Sequence, residues 1–362
     1  MSAILKNRKL QIMSALLVIM ACLVYVKRGD LSESVYQIVA SKRMLNDITT
    51  DLQDGLHLVL CGAGSPLPDP QRSGPCALVI AGETMLVIDA GTGGSRNLSA
   101  MQVPQGNIDA LLLTHFHSDH IDGLGGLAMQ RWVNGINTSP LPVYGPKGVS
   151  QIVTGFNMAY DLDASYRQAH HGDSVAPLSG KGMLAIEVAM PLQGEQTLVL
   201  EKDGLTVTMF TVNHAPISPA VGYRFDYKDR SLVISGDTSK SENLQRISQG
   251  VDLLVHEALS PNLVMALNRG AASAGNATVE KITHDILDYH TSPKEAAEIA
   301  QAANVKHLLF HHIVPALIVP GSKTAFLKGV DNAYKGGVTI GQDGSMISLP
   351  SNSDKIITSK LL

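Results

Sequence analysis

Aromatic side chains are scarce in this chain: 4% of its 362 residues, with a single tryptophan, Trp132. Stacking of bases on aromatic platforms is therefore a poor basis for binding. No Lys/Arg run occurs in the globular part, and the formal net charge is −4. A protein that grips polynucleotides through their phosphates needs a positive surface, so composition disfavours nucleic acid as a partner without excluding a local patch. Cysteine is limited to Cys22, Cys61 and Cys76. Cys22 falls in an apolar segment. Cys61 and Cys76 flank a Gly/Pro loop between two candidate strands, so they either pair in an oxidising compartment or stay as two buried thiols. Hydrophobic residues make up 44% of the chain, ample for a large core.

A long apolar run occurs once, from Leu10 to Val26, broken only by Gln11 and Ser14. Lys6, Arg8 and Lys9 precede it, and Lys27 and Arg28 close it. The length sits at the short limit for a bilayer span. The expectation is a retained membrane anchor; a cleaved signal and a buried helix are the alternatives. The bias of positive charge toward its leading side predicts an inside N-terminus and an exported, extracytoplasmic catalytic domain. The organisation expected is a basic segment at 1–9, the anchor or signal at 10–26, a helical stalk at 27–53, a globular domain at 54–350 and a tail at 351–362.

Histidine and aspartate carry the chemistry. Thr114-His115-Phe116-His117-Ser118-Asp119-His120 follows the apolar run Ile108-Asp109-Ala110-Leu111-Leu112-Leu113 and precedes a Gly-rich turn. At a strand end, residues two apart face the same way, so His115 and His117 reach one point together. Asp119 and His120 project from the turn toward a second. Imidazole and carboxylate are good ligands for zinc, and also for manganese or iron. His214, Asp237 and the pair His311-His312 each end another apolar strand-like run, where a side chain is held rigidly.

The H-x-H-x-D-H string resembles the signature of the metallo-β-lactamase superfamily. Val255-His256-Glu257-Ala258 and His290-Thr291-Ser292-Pro293-Lys294-Glu295 resemble its ribonuclease Z and arylsulfatase-like branch. The segment Gly62-Ala63-Gly64-Ser65-Pro66-Leu67-Pro68-Asp69-Pro70, with Arg72, Gly74 and Pro75, is most similar to metal-dependent arylsulfatases. The resemblance spans roughly residues 55 to 345. It implies an α/β fold, an αβ/βα sandwich, following the N-terminal apolar helix.

It also implies two divalent metal ions, most simply zinc. His115, His117 and His214 would hold one, Asp119, His120 and His312 the other, and Asp237 would bridge them. Successive strand residues face opposite ways, and alignment of the last strand selects His312 over His311. Asp119, His290 and Glu257 are the catalytic candidates, with His290 as an acid oriented by Glu257. Two divalent ions, two carboxylates and a bridging hydroxide leave a site of about +1, which attracts a monoanionic ester.

The first expectation is an arylsulfatase-like hydrolase of small anionic sulfate esters. The alternative is a ribonuclease Z-like phosphodiesterase acting on RNA or a small phosphodiester. A non-catalytic sensor on the same fold is a third. In ribonuclease Z a tRNA-gripping arm lies between the residues matching His214 and Asp237; here a short predicted hairpin fills that interval. Pocket walls are expected from residues 130–142, 151–171 and 260–289, and a mobile loop at Gly270–Gly275.

Overall fold

The computed structural model describes residues 2–362 as two units, one ending at Ile48 and the other spanning Thr49–Leu362. The first unit is a pair of helices, α1 (Ser2–Val26) and α2 (Arg28–Met44). Helix α1 starts inside the basic segment rather than at Leu10, because nothing between Ser2 and Lys9 breaks a helix. Its apolar side chains are largely exposed, as Leu16 and Val18 show at 59% and 62%. It is long and apolar enough to cross a membrane. No side chain of α2 is buried.

The second unit is a pair of sheets. The leading strands are β1 (Gly55–Gly62), β2 (Cys76–Ala81), β3 (Thr84–Ile88), β4 (Ala110–Leu112), β5 (Leu141–Gly145) and β6 (Met183–Glu187). A second series comprises β7 (Thr197–Lys202), β8 (Leu205–Thr211), β9 (Val221–Tyr227), β10 (Arg230–Ile234), β11 (Leu253–Leu259), β12 (His307–Val314) and β13 (Gly337–Ile340). The chain then returns with β14 (Ser345–Pro350) and β15 (Ile357–Lys360). One sheet has the order β15-β14-β1-β2-β3-β4-β5-β6, the other β13-β12-β11-β10-β9-β8-β7. Residues 351–362, expected as a tail, thus contribute an edge strand, β15, paired antiparallel with β14.

Period-2 alternation splits the central strands between two cores. Leu56, Leu58 and Leu60 of β1 meet Leu232, Ile234, Leu253 and Val255 of the opposite sheet in the central layer. Val233, Leu254, Leu308 and Phe310 point the other way, onto helices. On the first sheet's side the helices are α3 (Gly94–Ala100), α4 (Ser118–Ile121), α5 (Leu124–Gly135) and α6 (Val149–His171). On the second sheet's side run α7 (Glu242–Ile247), α8 (Pro261–Ser273), α9 (Ala277–Asp285), α10 (Pro293–Ala302), α11 (Ser322–Phe326) and α12 (Val330–Ala333). Strands buried on both faces read as unbroken apolar runs, which is why β1 and β11 have no exposed residue. The architecture is an αβ/βα sandwich.

Three local features differ from, or sharpen, the sequence reading. Gly270–Ser273, expected in a mobile loop, is the last turn of α8. Ala271 and Ala272 are strong helix formers, Ala271 is buried, and the break comes at Gly275 with φ +69°. Cys61 and Cys76 form a disulfide between β1 and β2 with Cα atoms 5.0 Å apart. The interval between His214 and Asp237 holds the β9–β10 hairpin, closed by Lys228-Asp229.

The disulfide closes a loop with a sequence separation of 15, worth about 3 kcal/mol in the loop-entropy account. Alkylation of denatured, unreduced protein should label Cys22 alone, read by mass spectrometry. Cys61→Ser with Cys76→Ser should lower unfolding free energy by about 2–4 kcal/mol in denaturant titration.

Candidate metal centre

The site lies along one edge of the sandwich, where strands end. His115, His117, Asp119 and His120 leave the end of β4 through the one-turn helix α4. His214 follows β8, and Asp237 follows β10. Gly236 makes the turn that aims Asp237, with φ +61°; a Cβ there would lie 2.5 Å from the Val221 carbonyl oxygen. Gly91 lets the loop after β3 pass behind Asp119, since a Cβ would sit 2.5 Å from the Asp119 backbone carbonyl oxygen.

His312 owes its position to a bulge in β12. Glu257 of β11 pairs with His311, and Ala258 pairs with Ile313, which leaves His312 unpaired. A bulge re-aims a side chain, and His312 has φ +44°. His311 turns away. Both its ring nitrogens are buried without a partner, and burial, aided by His312, pushes it down to about 3.

Seven side chains converge. The ligand atoms of His115, His117, His214 and Asp237 form one group within 4.8 Å of one another, and Asp119, His120 and His312 a second. Asp237 Oδ2 is the hub. It lies 3.8 Å from His115 Nε2 and 3.9 Å from His214 Nε2. On the other side it lies 3.4 Å from His120 Nε2 and 3.3 Å from His312 Nε2. Asp119 Oδ2 is 3.5 Å from His120 Nε2 and 3.2 Å from His312 Nε2. Ligands about 2 Å from a shared ion stand roughly 3–4 Å apart, so both groups have the spacing that divalent ions need.

The unsatisfied atoms point the same way. His120 Nε2, His214 Nε2 and Asp237 Oδ1 are buried with no hydrogen-bond partner. Leaving such groups unpaired costs roughly 1–3 kcal/mol each, a cost that coordination removes. Burial keeps His115 well below the usual histidine range, and also depresses His117 and His214. All three therefore present the neutral imidazole that a metal requires. Burial opposes ionisation of Asp237, but His312 and His120 outweigh it and hold its pKa well below the carboxylate range. Burial likewise opposes a charged His120, yet Asp237, Asp89 and Asp119 raise it well above its ordinary value. The centre is short of positive charge.

Three of the imidazoles, His115, His120 and His214, are oriented from behind. Asp89 Oδ2 accepts from His120 Nδ1 at 2.8 Å and from Thr114 Oγ1 at 2.8 Å. Its Oδ1 accepts from the Thr114 amide. Thr114 Oγ1 in turn stands 3.1 Å from His115 Nδ1, and the Tyr289 carbonyl 2.9 Å from His214 Nδ1. With Nδ1 engaged, Nε2 is turned toward the centre, where that of His115 lies 3.0 Å from His117 Nδ1. Sequence reasoning missed Asp89, Thr114 and Tyr289. Asp89 had a signal, since it ends the apolar strand Met85-Leu86-Val87-Ile88 just as the ligands end theirs.

His290 and Glu257 meet as expected, with His290 Nδ1 3.2 Å from Glu257 Oε1. That oxygen also accepts from the Thr291 amide at 2.9 Å. Ser292 and Glu295 form a capping box that starts α10 at Pro293, worth about 1 kcal/mol, and this fixes the Thr291 turn. Burial pushes the His290 imidazolium down, but the charge and hydrogen bond of Glu257 prevail and raise it to about 8. His290 also groups with Asp237 and His312.

A cavity of about 220 Å³ opens over these residues. Of the expected walls only the 260–289 insertion contributes, through Ile282, Ile286 and Tyr289. Residues of α5 and α6 instead line another cavity, beside Trp132, Phe156 and Tyr160. They pack on the first sheet's outer layer and do not reach the cluster. Ser65, Pro66 and Leu67 of the early loop were not anticipated as walls.

A sandwich of this kind with two imidazole–carboxylate groups at its strand ends defines a metal-dependent hydrolase of ester bonds. A model of the beta-lactamase superfamily domain matches residues 84–313. Ribonuclease Z of Mycobacterium bovis (strain BCG / Pasteur 1173P2) is 34% identical over 290 residues, covering 80% of this chain and 96% of that protein. Ribonuclease Z of Mycobacterium avium (strain 104) is 33% identical over the same length and shares. The chain belongs to the metallo-β-lactamase superfamily, in the branch that contains ribonuclease Z. Among solved structures, human tRNase Z, short form, superposes with TM-score 0.58 at 20% identity over 81% of this chain and 99% of its own. The metallo-β-lactamase fold protein YhfI of Bacillus subtilis gives TM-score 0.59 at 20% identity, covering 82% and 100%. Both show the shared fold.

Asp89→Asn should weaken metal affinity by about 10–100-fold with the fold intact, measured by competition with a chromogenic chelator. Asp237→Ala should abolish stoichiometric binding of both ions, read as metal per chain by elemental analysis. Two tightly held ions in that variant would remove Asp237 from the hub.

Proposed function

We propose that the protein is a ribonuclease Z-like phosphodiesterase working with two divalent ions, zinc on the chemistry of its donors. The observation that carries the proposal is the Asp237 carboxylate lying within reach of both imidazole groups, in a chain about one-third identical to ribonuclease Z along nearly that enzyme's whole length. Bound ions would polarise the ester and activate a water for in-line attack. A phosphodiester and a sulfate monoester carry the same single negative charge, so the donor set accommodates either. The relatives favour the phosphodiester over the sulfate ester that the early loop first suggested.

His115, His117 and His214 would hold one ion, Asp119, His120 and His312 the other, and Asp237 both. Asp119 lines the cavity. Burial opposes its ionisation, but His120 and His312 prevail and lower its pKa, so it stays an anion able to hold a water's proton in place. His290 is the general acid. Glu257 holds its Nδ1, so Nε2 is left to protonate the departing oxygen. Glu257 positions it and does not touch substrate.

The N-terminal helix and the disulfide support an anchored, extracytoplasmic catalytic unit, since disulfides persist in oxidising compartments. A protease added to spheroplasts, with the periplasm opened, should then digest the Thr49–Leu362 unit; full protection of that unit would place it in the cytoplasm.

Metal-loaded protein given bis-nitrophenyl phosphate and nitrophenyl sulfate side by side should hydrolyse the phosphate diester faster. Preference for the sulfate would reverse the proposal. His290→Ala should retain both ions and lose about 10²–10⁴-fold on diesters with poor leaving groups, and much less on nitrophenyl esters. Its rate profile should also lack the fall at alkaline pH that accompanies loss of the acid's proton. Equal losses on good and poor leaving groups would rule out the acid role.

A further inference from the structure

The cavity over the metal centre has two unlike flanks. One is the ligand cluster itself. The other is apolar: Leu67, Ile282, Ile286 and Val314. This second flank is built into the fold. Leu67 and Ile286 pack against the buried cluster of Leu259, Val264 and Val314. Ile282 sits at the rim, 45% exposed, on the hairpin formed by α8 and α9. That hairpin is tied across its width by Asn268, whose Nδ2 donates to the Glu280 carbonyl at 2.6 Å and to Thr283 Oγ1 at 3.0 Å. Thr283 is fully buried, so the hairpin presents Ile282 and Ile286 from a fixed platform.

No lysine or arginine lines the cavity. A polynucleotide brings further phosphates beside the one being cleaved, and each needs a cation or water to offset its charge. An apolar wall supplies neither. At about 220 Å³ the space is also smaller than pockets for drug-sized ligands, about 300–1,000 Å³. A single ring or branched alkyl group fits it, seated on four aliphatic side chains.

We infer that this site takes a phosphate ester whose organic arm is compact and apolar, and that Ile282 and Ile286 of the α8–α9 hairpin select that arm. The inference rests on the phosphodiesterase reading for the phosphate and adds the class of group attached to it. Tyr289 completes the wall, its ring edge-on to His214 at 4.8 Å between centroids. The hydrolysed bond is the phosphorus–oxygen bond, with water supplying the incoming oxygen and the arm leaving as its alcohol or phenol.

Calorimetric titration of the metal-loaded, full-length protein tests this without turnover. Three phosphate monoesters serve as probes: phenyl phosphate, methyl phosphate and uridine 5′-monophosphate. Phenyl phosphate should bind at least about tenfold tighter than either of the others, the scale on which an apolar pocket discriminates. Ile282→Asn, at a half-exposed position that does not threaten folding, should shrink the phenyl-to-methyl ratio severalfold while metal per chain stays constant. Uridine monophosphate binding as tightly as phenyl phosphate would overturn the inference. So would a ratio unmoved by Ile282→Asn, or no binding of any probe. Turnover of bis-nitrophenyl phosphate in the same preparation separately decides the phosphodiesterase reading. A diesterase that prefers the nucleotide arm keeps that reading and loses this one.

Discussion

One buried carboxylate organises the molecule. Asp237 is 2% exposed, and its Oδ2 lies between two sets of imidazoles drawn from three separate strand ends. An unpaired charge at such depth is unfavourable by several kcal/mol. It persists because positive charge belongs beside it, while burial keeps His115, His117 and His214 neutral and ligand-ready. The two sheets can therefore be viewed as a frame that brings the ends of β4, β8, β10 and β12 to one point.

Around that point, rigidity comes from contacts that never touch a metal. Asp89 links His120 to Thr114, and Thr114 to His115. A single side chain at the end of β3 thereby sets the tautomers of ligands on both sides of the centre. Glu257 does comparable work for His290, and the capping box of α10 fixes the turn that follows it. The early loop is held in the same spirit. Asp343, remote in sequence, accepts from the amides of Ala63 and Ser73 and from Asn97.

The ligand set was legible in the sequence because its chemistry is compressed into short strings at the ends of apolar runs. The period of two in strands brought His115 and His117 together, while His214 and Asp237 stood out as ends of apolar runs and took their roles from the resemblance to the superfamily. His312 needed more. Simple alternation separates it from His311, but the bulge that turns it inward depends on β11 pairing with β12, which no local pattern encodes. Asp89 was hidden for a related reason: its partners arrive from a different strand. The helical end of α8 was misread because Gly270 and Gly275 bracket alanines, strong helix formers, the first of which, Ala271, is buried. The cavity walls were misassigned because α5 and α6 cover the outside of the first sheet, far from the strand ends in packing if not in sequence.

The Cys61–Cys76 link lies at the root of the loop carrying Ser65, Pro66 and Leu67, and the backbone of that loop abuts Gly91 and, through Gly91, the back of Asp119. Covalent closure there shortens the free span of a segment that forms both a substrate wall and the rear support of a ligand. Material produced where thiols stay reduced would keep every donor atom yet hold them in a slacker frame. Preparations from reducing and oxidising hosts would then differ in how firmly they retain their ions, although their sequences are identical.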